Sequence, residues 1–147
     1  MIIGELTAKI LKGQNFKETL DFAPYENNMG FQIILESGQV IMRMPYKHQL
    51  IGSPVPPRLH GGAIGSLLEI TAIIETARCR ALRDGISNMI AKPINLTINY
   101  LRPGAPEDTY ASANVTRLGS RIAHVRTEAW QSDRNRLIST AQMNLLI

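Results

Sequence analysis

A chain of 147 residues with 44% hydrophobic and 19% charged side chains has room for one compact core and too little length for two independent domains. No stretch approaches the roughly 20 uninterrupted apolar residues of a membrane-spanning helix, and the apolar start Met1–Ile3 meets Glu5 and Lys9 at once, so neither a membrane partner nor a secretory signal is expected and the default address is cytoplasmic. Cys79 is the single cysteine, which excludes a disulfide framework and a cysteine-rich zinc site, while 16 Lys and Arg against 12 Asp and Glu leave a scattered net charge of +4 that does not indicate nucleic acid but suits a small phosphate-bearing ligand.

In chain order, Ile3, Leu6, Ile10 and Leu11 fall at helical spacing up to Gly13. A second short helical piece is expected at Phe16–Leu20, so residues 1–22 read as an N-terminal helical segment. Between Met29 and Tyr46 the period changes to two: Phe31, Ile33 and Leu35, a turn at Ser37-Gly38, then Val40, Met42 and Met44 predict a hairpin. Gly52-Ser53-Pro54-Val55-Pro56-Pro57 reads as a loop in which no ladder or helix persists. From Ala63 to Ala77 nearly every side chain is apolar or small on all sides, which predicts a helix enclosed by the rest of the molecule. Arg78, Arg80 and Arg83 suit its negative pole and Gly85 its stop. After Asn88, four alternating segments beginning at Ile94, Thr109, Arg121 and Leu137 predict strands in an antiparallel meander. The expected class is α+β, one domain over residues 1–147, with an antiparallel sheet wrapped around a long central helix.

Glu69 lies between Leu68 and Ile70 inside that helix. A carboxylate there loses several kcal/mol of hydration unless it is paired or faces a wet cleft, and burial raises its pKa, as suits a general base or a nucleophile. The bland alternative pairs it with Arg58 or Lys92. His60-Gly61-Gly62 precedes the helix, where backbone N–H groups and the helix dipole can hold an oxyanion. The competing explanation is a tight turn with a capping histidine. His48 and His124 show no metal-ligand spacing, so no metal is expected. Arg102, Arg117 and Arg121 sit at strand ends beside Gly104 and Gly119, able to hold phosphates or merely to stay solvated. Ser66 lacks the second glycine of a nucleophile elbow, and Cys79, although flanked by Arg78 and Arg80, has no histidine near it in sequence.

Leu59-His60-Gly61-Gly62 followed by Leu67-Leu68-Glu69, then Asn99-Tyr100-Leu101-Arg102-Pro103 and Gly119-Ser120-Arg121, resembles the hot-dog-fold thioesterases of the phenylacetate-degradation (PaaI-like) group from about Pro24 to the end. The resemblance implies a homodimer, often paired into a homotetramer, with active sites between subunits. It implies hydrolysis of an aryl- or fatty-acyl-CoA thioester, with Glu69 of one subunit as base or nucleophile and the Gly61 N–H of the other polarising the carbonyl. His60 would orient that region, and Ser53 and Gly62 would face the substrate. Arg102 and the turn Gly119-Ser120-Arg121 would meet the nucleotide of CoA, with no metal or organic cofactor in the scheme. Three positions depart from the pattern: Ser53-Pro54 where many relatives have Asn-Pro, Pro93 where a hydroxyl often stands, and Ile73 one turn beyond the carboxylate. They motivate an alternative, a non-catalytic dimer that binds acyl-CoA or another small ligand. A hydratase, which would want a histidine where Val55 stands, ranks last.

Overall fold

The structure, a computed structural model, describes residues 2–147. It contains helix α1 (Ile3–Leu11), strand β1 (Phe16–Thr19), helix α2 (Pro24–Met29), the hairpin β2 (Gln32–Glu36) and β3 (Gln39–Met44), a small ladder of β4 (Ile51–Pro54) and β5 (Pro57–Leu59), the long helix α3 (Gly61–Asp84), and strands β6 (Lys92–Tyr100), β7 (Thr109–Leu118), β8 (Ile122–Trp130) and β9 (Ser139–Leu146). Seven strands form one antiparallel sheet in the order β1-β2-β3-β7-β8-β9-β6, and α3 packs along its inner face.

Three expectations need correction, and one helix was not anticipated. Residues 1–22 are not wholly helical: α1 buries Ile3, Leu6, Thr7 and Ile10 on one face, but Phe16–Thr19 pairs with β2 from Leu35 back to Gln32. Four residues of Phe-Lys-Glu-Thr carry no decisive period, and the free edge of β2 decides their state. The proline-rich stretch does hold a ladder, pairing Ile51 with Leu59, Ser53 with Arg58 and Pro54 with Pro57; its prolines sit at the tip of the ladder, where no donor is required of them. The last four strands are not a simple meander. The chain runs β7-β8-β9 side by side, while β6 lies beyond β9 and leaves β7 to pair with β3. Helix α2 was not legible from spacing, although Pro24 at its first turn and Gly30, with φ of 69°, at its end are start and stop residues.

The enclosure of α3 follows from side-chain size. Ala111, Ala123, Ala129 and Ala141 on the inner sheet face are almost fully buried, so the helix axis can approach closely while Leu67, Leu68 and Ile74 fill the remaining space. Helix α1 packs against α3 from another side. At one end of the sheet, where α3 begins, the Leu59 N–H donates to Gly104 O at 3.0 Å. At the other, where α3 ends, Arg83 donates to Leu118 O and Gly119 O at 3.2 and 2.9 Å. These contacts define the two poles of the molecule.

Candidate active site

At the start of α3, His60 caps the helix: its Nδ1 accepts from the Gly62 N–H at 2.8 Å. Its carbonyl accepts from Ala63 and Ile64 at 3.0 and 3.3 Å. Of the donors that a helix start leaves without intrahelical partners, Gly61 N–H therefore has no acceptor among the described residues. Gly62, expected to meet substrate through its amide, spends that amide on His60 instead. The glycines themselves answer to packing. A Cβ on Gly61 would lie 3.2 Å from the Tyr100 hydroxyl and ring, and one on Gly65 would lie 2.9 Å from Ile98 Cδ1. Strand β6 thus comes down onto the first turns of α3, and Tyr100 donates its hydroxyl to Gly61 O at 2.8 Å. Close approach, not positive φ, requires glycine at these two places.

Glu69 lies on the one stripe of these helical turns that the chain does not close over: Gly62 is exposed, and Ser66 and Glu69 are half-buried. Residues at these spacings share a helix face. Glu69 makes no hydrogen bond or ion pair among the described residues, so neither Arg58 nor Lys92 serves as its partner. Burial pushes its carboxyl above the usual glutamate range, and the negative charge of Glu26 adds to the effect. Helix α2 touches this stripe at Ser66, where the Tyr25 and Ser66 hydroxyls lie 2.6 Å apart. Ile73, one turn further on, is buried and apolar.

Gly61 and Glu69 are eight residues apart on one continuous helix, a rise of about 12 Å at ~1.5 Å per residue. A single carbonyl needs its oxyanion donor and its base or nucleophile each within about 3 Å. One chain's pair cannot both reach it.

Arg102 and the Gly119-Ser120-Arg121 turn fall at opposite poles, a strand length of about 30 Å apart. Near the start of α3, a shallow groove of about 310 Å³ runs from Gly61 and Ile64 past Tyr100 to Arg102 and Pro103. It shares Arg102 and Pro103 with a second hollow of about 350 Å³ that Arg58, Arg136, Glu107 and Asp133 also line. No ion pair engages Arg58, Arg102 or Arg136 among the described residues; Arg102 donates to Leu137 O at 2.9 Å. At the far pole, Arg121 and Ser120 line a hollow with Arg117 and His124, and Gly119 is held by Arg83. Ser53 is exposed on β4 opposite Arg58.

Two features escaped sequence reading, one on α3 and one on α2. Glu75 is buried and takes two hydrogen bonds from Arg78, at 2.9 and 2.7 Å; the spacing of three between them was the available signal. Glu26 escaped because its helix did. Cys79 lies beside the Glu75 carboxylate, and burial, with that charge, pushes its thiol up to about 11. It is therefore not the activated thiolate that its arginine neighbours allowed.

The thioesterase superfamily model matches residues 57–138, a span from β5 to the loop before β9 that includes Gly61, Glu69, Arg102 and the turn at Gly119. A medium/long-chain acyl-CoA thioesterase, YigI, of Escherichia coli K12 is 32% identical over 98 residues, covering 58% of this chain and 62% of that relative. The chain thus aligns with less than two thirds of the curated relative's length. Among solved structures, a Pseudomonas aeruginosa protein superposes with a TM-score of 0.74 at 22% identity over 99% of this chain and 98% of the other. A phenylacetic acid degradation-related protein from Ralstonia eutropha JMP134 gives 0.68 at 21% identity over 97% and 99%. These likenesses confirm the α+β hot-dog architecture of a sheet wrapped on one helix, and the family match places the chain in the thioesterase superfamily.

Proposed function

We propose that the protein hydrolyses acyl-CoA thioesters, in sites assembled from two copies of the chain. The observation that carries the reading is a half-buried carboxylate at Glu69 and an amide at Gly61, both without partners among the described residues, on one helix and about 12 Å apart along it, too far to act together within one chain. The shared site follows if the outer edge of β6 pairs with β6 of a second copy. That edge has no strand beside it among the described residues, most of its residues are exposed, and an open edge of this length invites pairing. Antiparallel pairing there sets two α3 helices side by side in opposite directions and brings Glu69 of one toward Gly61 of the other. A homodimer is thus the minimal unit, and a homotetramer a further pairing of dimers.

In this site Gly61 N–H donates to the thioester oxygen, and its partial positive charge at the helix start favours the oxyanion. Glu69, kept basic by burial, takes a proton from water as the water oxygen bonds to the carbonyl carbon; the tetrahedral intermediate then breaks its C–S bond and the thiolate of CoA receives the proton back. Alternatively Glu69 attacks the carbon itself, expels the thiolate, and water cleaves the resulting anhydride. His60 acts by capping, which fixes the Gly61 amide. The groove beside Gly61 leads to the unpaired arginines Arg58, Arg102 and Arg136, which supports a place there for the CoA phosphates. The same dimer turns the opposite pole of the partner, with its Gly119-Ser120-Arg121 turn, toward this end. Similarity to a medium/long-chain acyl-CoA thioesterase favours a fatty over an aryl acyl group, and no metal or organic cofactor enters the scheme. The supporting observation for a purely ligand-binding dimer is Ile73, apolar where a hydroxyl would help hold water.

A panel of fatty- and aryl-acyl-CoAs with thiol detection, run beside Glu69→Ala, tests the reading. Turnover that Glu69→Ala reduces by roughly 10²-fold or more supports the assigned base. Binding of every acyl-CoA without thiol release assigns the binding dimer instead.

A further inference from the structure

We propose that the Ser66 hydroxyl, fixed in direction by Tyr25, holds the water that Glu69 deprotonates. This rests on the reading of Glu69 as the base of thioester hydrolysis and deepens it. Gly62, Ser66 and Glu69 share the open stripe of α3. The Ser66 hydroxyl has a single proton, which it donates to Gly62 O at 2.9 Å. The Tyr25 hydroxyl, 2.6 Å from Ser66 Oγ, is therefore the donor of that pair. Ser66 Oγ keeps one lone pair, whose direction these two bonds set, and it has no further partner among the described residues.

Ser66 and Glu69 are three residues apart, so their Cβ atoms stand about 5–6 Å from one another on one helix face. Cα–Cβ bonds tilt toward the start of a helix, which leans the longer Glu69 side chain back toward Ser66. One water with hydrogen bonds of about 2.8 Å bridges such a gap. A water attacking a carbonyl points one O–H to a base and the other to an acceptor, and keeps an oxygen lone pair for the carbon. As the C–O bond forms, the first proton passes to Glu69 and the carbonyl π pair moves onto the oxygen held by Gly61 of the second copy. The second proton stays on the new hydroxyl, still bonded to Ser66 Oγ. The C–S bond then breaks and the thiolate takes the proton from Glu69, which leaves a carboxylic acid and the thiol of CoA. Ile73 offers no hydroxyl one turn beyond the carboxylate, whereas Ser66 offers one a turn before it. Docking of α2 does not by itself call for this hydroxyl pair: Met29 at its end lies in the core, and Lys47 Nζ donates to Asn28 O at 2.6 Å. Tyr25, by contrast, is left 54% exposed.

The test is acyl-CoA hydrolysis by the full chain in buffer that contains methanol, with acid and methyl ester both quantified. Water donates to Glu69 and Ser66 at once, whereas methanol has one O–H, so the unsubstituted protein favours acid over ester. Ser66→Ala lowers kcat on the order of tenfold with little change in KM, as expected for one hydrogen bond held in the transition state, and raises the ester-to-acid ratio. Tyr25→Phe moves both readouts the same way to a smaller degree. The double variant is no worse than Ser66→Ala, because Tyr25 acts through Ser66. A ratio that stays constant in both single variants, whatever happens to kcat or Tm, overturns the proposal and leaves the two hydroxyls as a docking contact of α2. Absence of thiol release by the unsubstituted protein removes the hydrolytic reading, and the proposal with it.

Discussion

Replacing Gly61 by alanine probes the contact between β6 and the start of α3. The added Cβ would sit 3.2 Å from Tyr100 Cζ and Oη and 3.3 Å from Cε1, several tenths of an ångström inside ordinary contact. Overpacking of this kind costs about 1–3 kcal/mol, and the displaced ring weakens a hydrogen bond to Gly61 O worth about 1 kcal/mol. Against this, alanine in place of glycine at a compatible backbone position gains about 0.4–1 kcal/mol. The clash wins by about 1–3 kcal/mol, which for a chain of this size lowers Tm by about 2–12 °C. The sign should reverse once the ring is gone: in a Tyr100→Ala background, Gly61→Ala becomes neutral or slightly stabilising. Thermal melting of the four members of the cycle measures this, and an equal penalty in both backgrounds would refute the packing explanation of Gly61.

Other consequences concern charge and reactivity. Asp108 accepts from the Tyr46 N–H at 2.7 Å and from Arg43 at 3.0 and 2.6 Å, and its carboxyl lies below the usual aspartate range, first through the Tyr46 amide and then through Arg43. A depressed carboxyl stabilises above its unfolded pKa and loses that contribution as pH falls through its folded one. Asp108→Ala should therefore cost about 1–2 kcal/mol near neutrality, discounted for partial exposure, with the gap narrowing in acid; urea denaturation that gives a constant gap with pH would contradict this. Cys79, pushed up to about 11 by burial and Glu75, should react sluggishly with a thiol reagent at pH 7–8. Fast stoichiometric labelling of the folded chain would show that its surroundings are misassigned.

Much of the fold could be read from pattern alone. The run from Ala63 to Ala77 announced a buried helix because apolar and small residues occupy every side of it, and the hairpin β2–β3 and strands β6 to β9 alternated cleanly. What escaped was decided by contacts distant in sequence. Phe16–Thr19 became a strand because β2 offers it an edge, and the crossover of β6 beyond β9 depends on long-range pairing that a list of strands does not contain. At the site, Glu69 was marked by a charge set among apolar residues, and Gly61 by the glycine pair. The spending of the Gly62 amide on His60, the descent of Tyr100 onto Gly61, and the contact of Tyr25 with Ser66 all require knowing which elements touch. Gly-Gly is legible as a motif; that packing accounts for Gly61 is visible only in three dimensions.

The most direct measurement is hydrolysis by mixed dimers. Gly61→Pro removes the amide donor from one copy and Glu69→Gln removes the base from the other, and each homogeneous variant should be inactive. If carboxylate and amide come from different copies, mixing the two variants restores about one intact site per mixed dimer, and a fraction of the original rate returns. Mixed dimers that form but stay inactive, or a Glu69→Gln protein that hydrolyses acyl-CoA at the unsubstituted rate, would contradict a carboxylate and an amide donor joined across two chains.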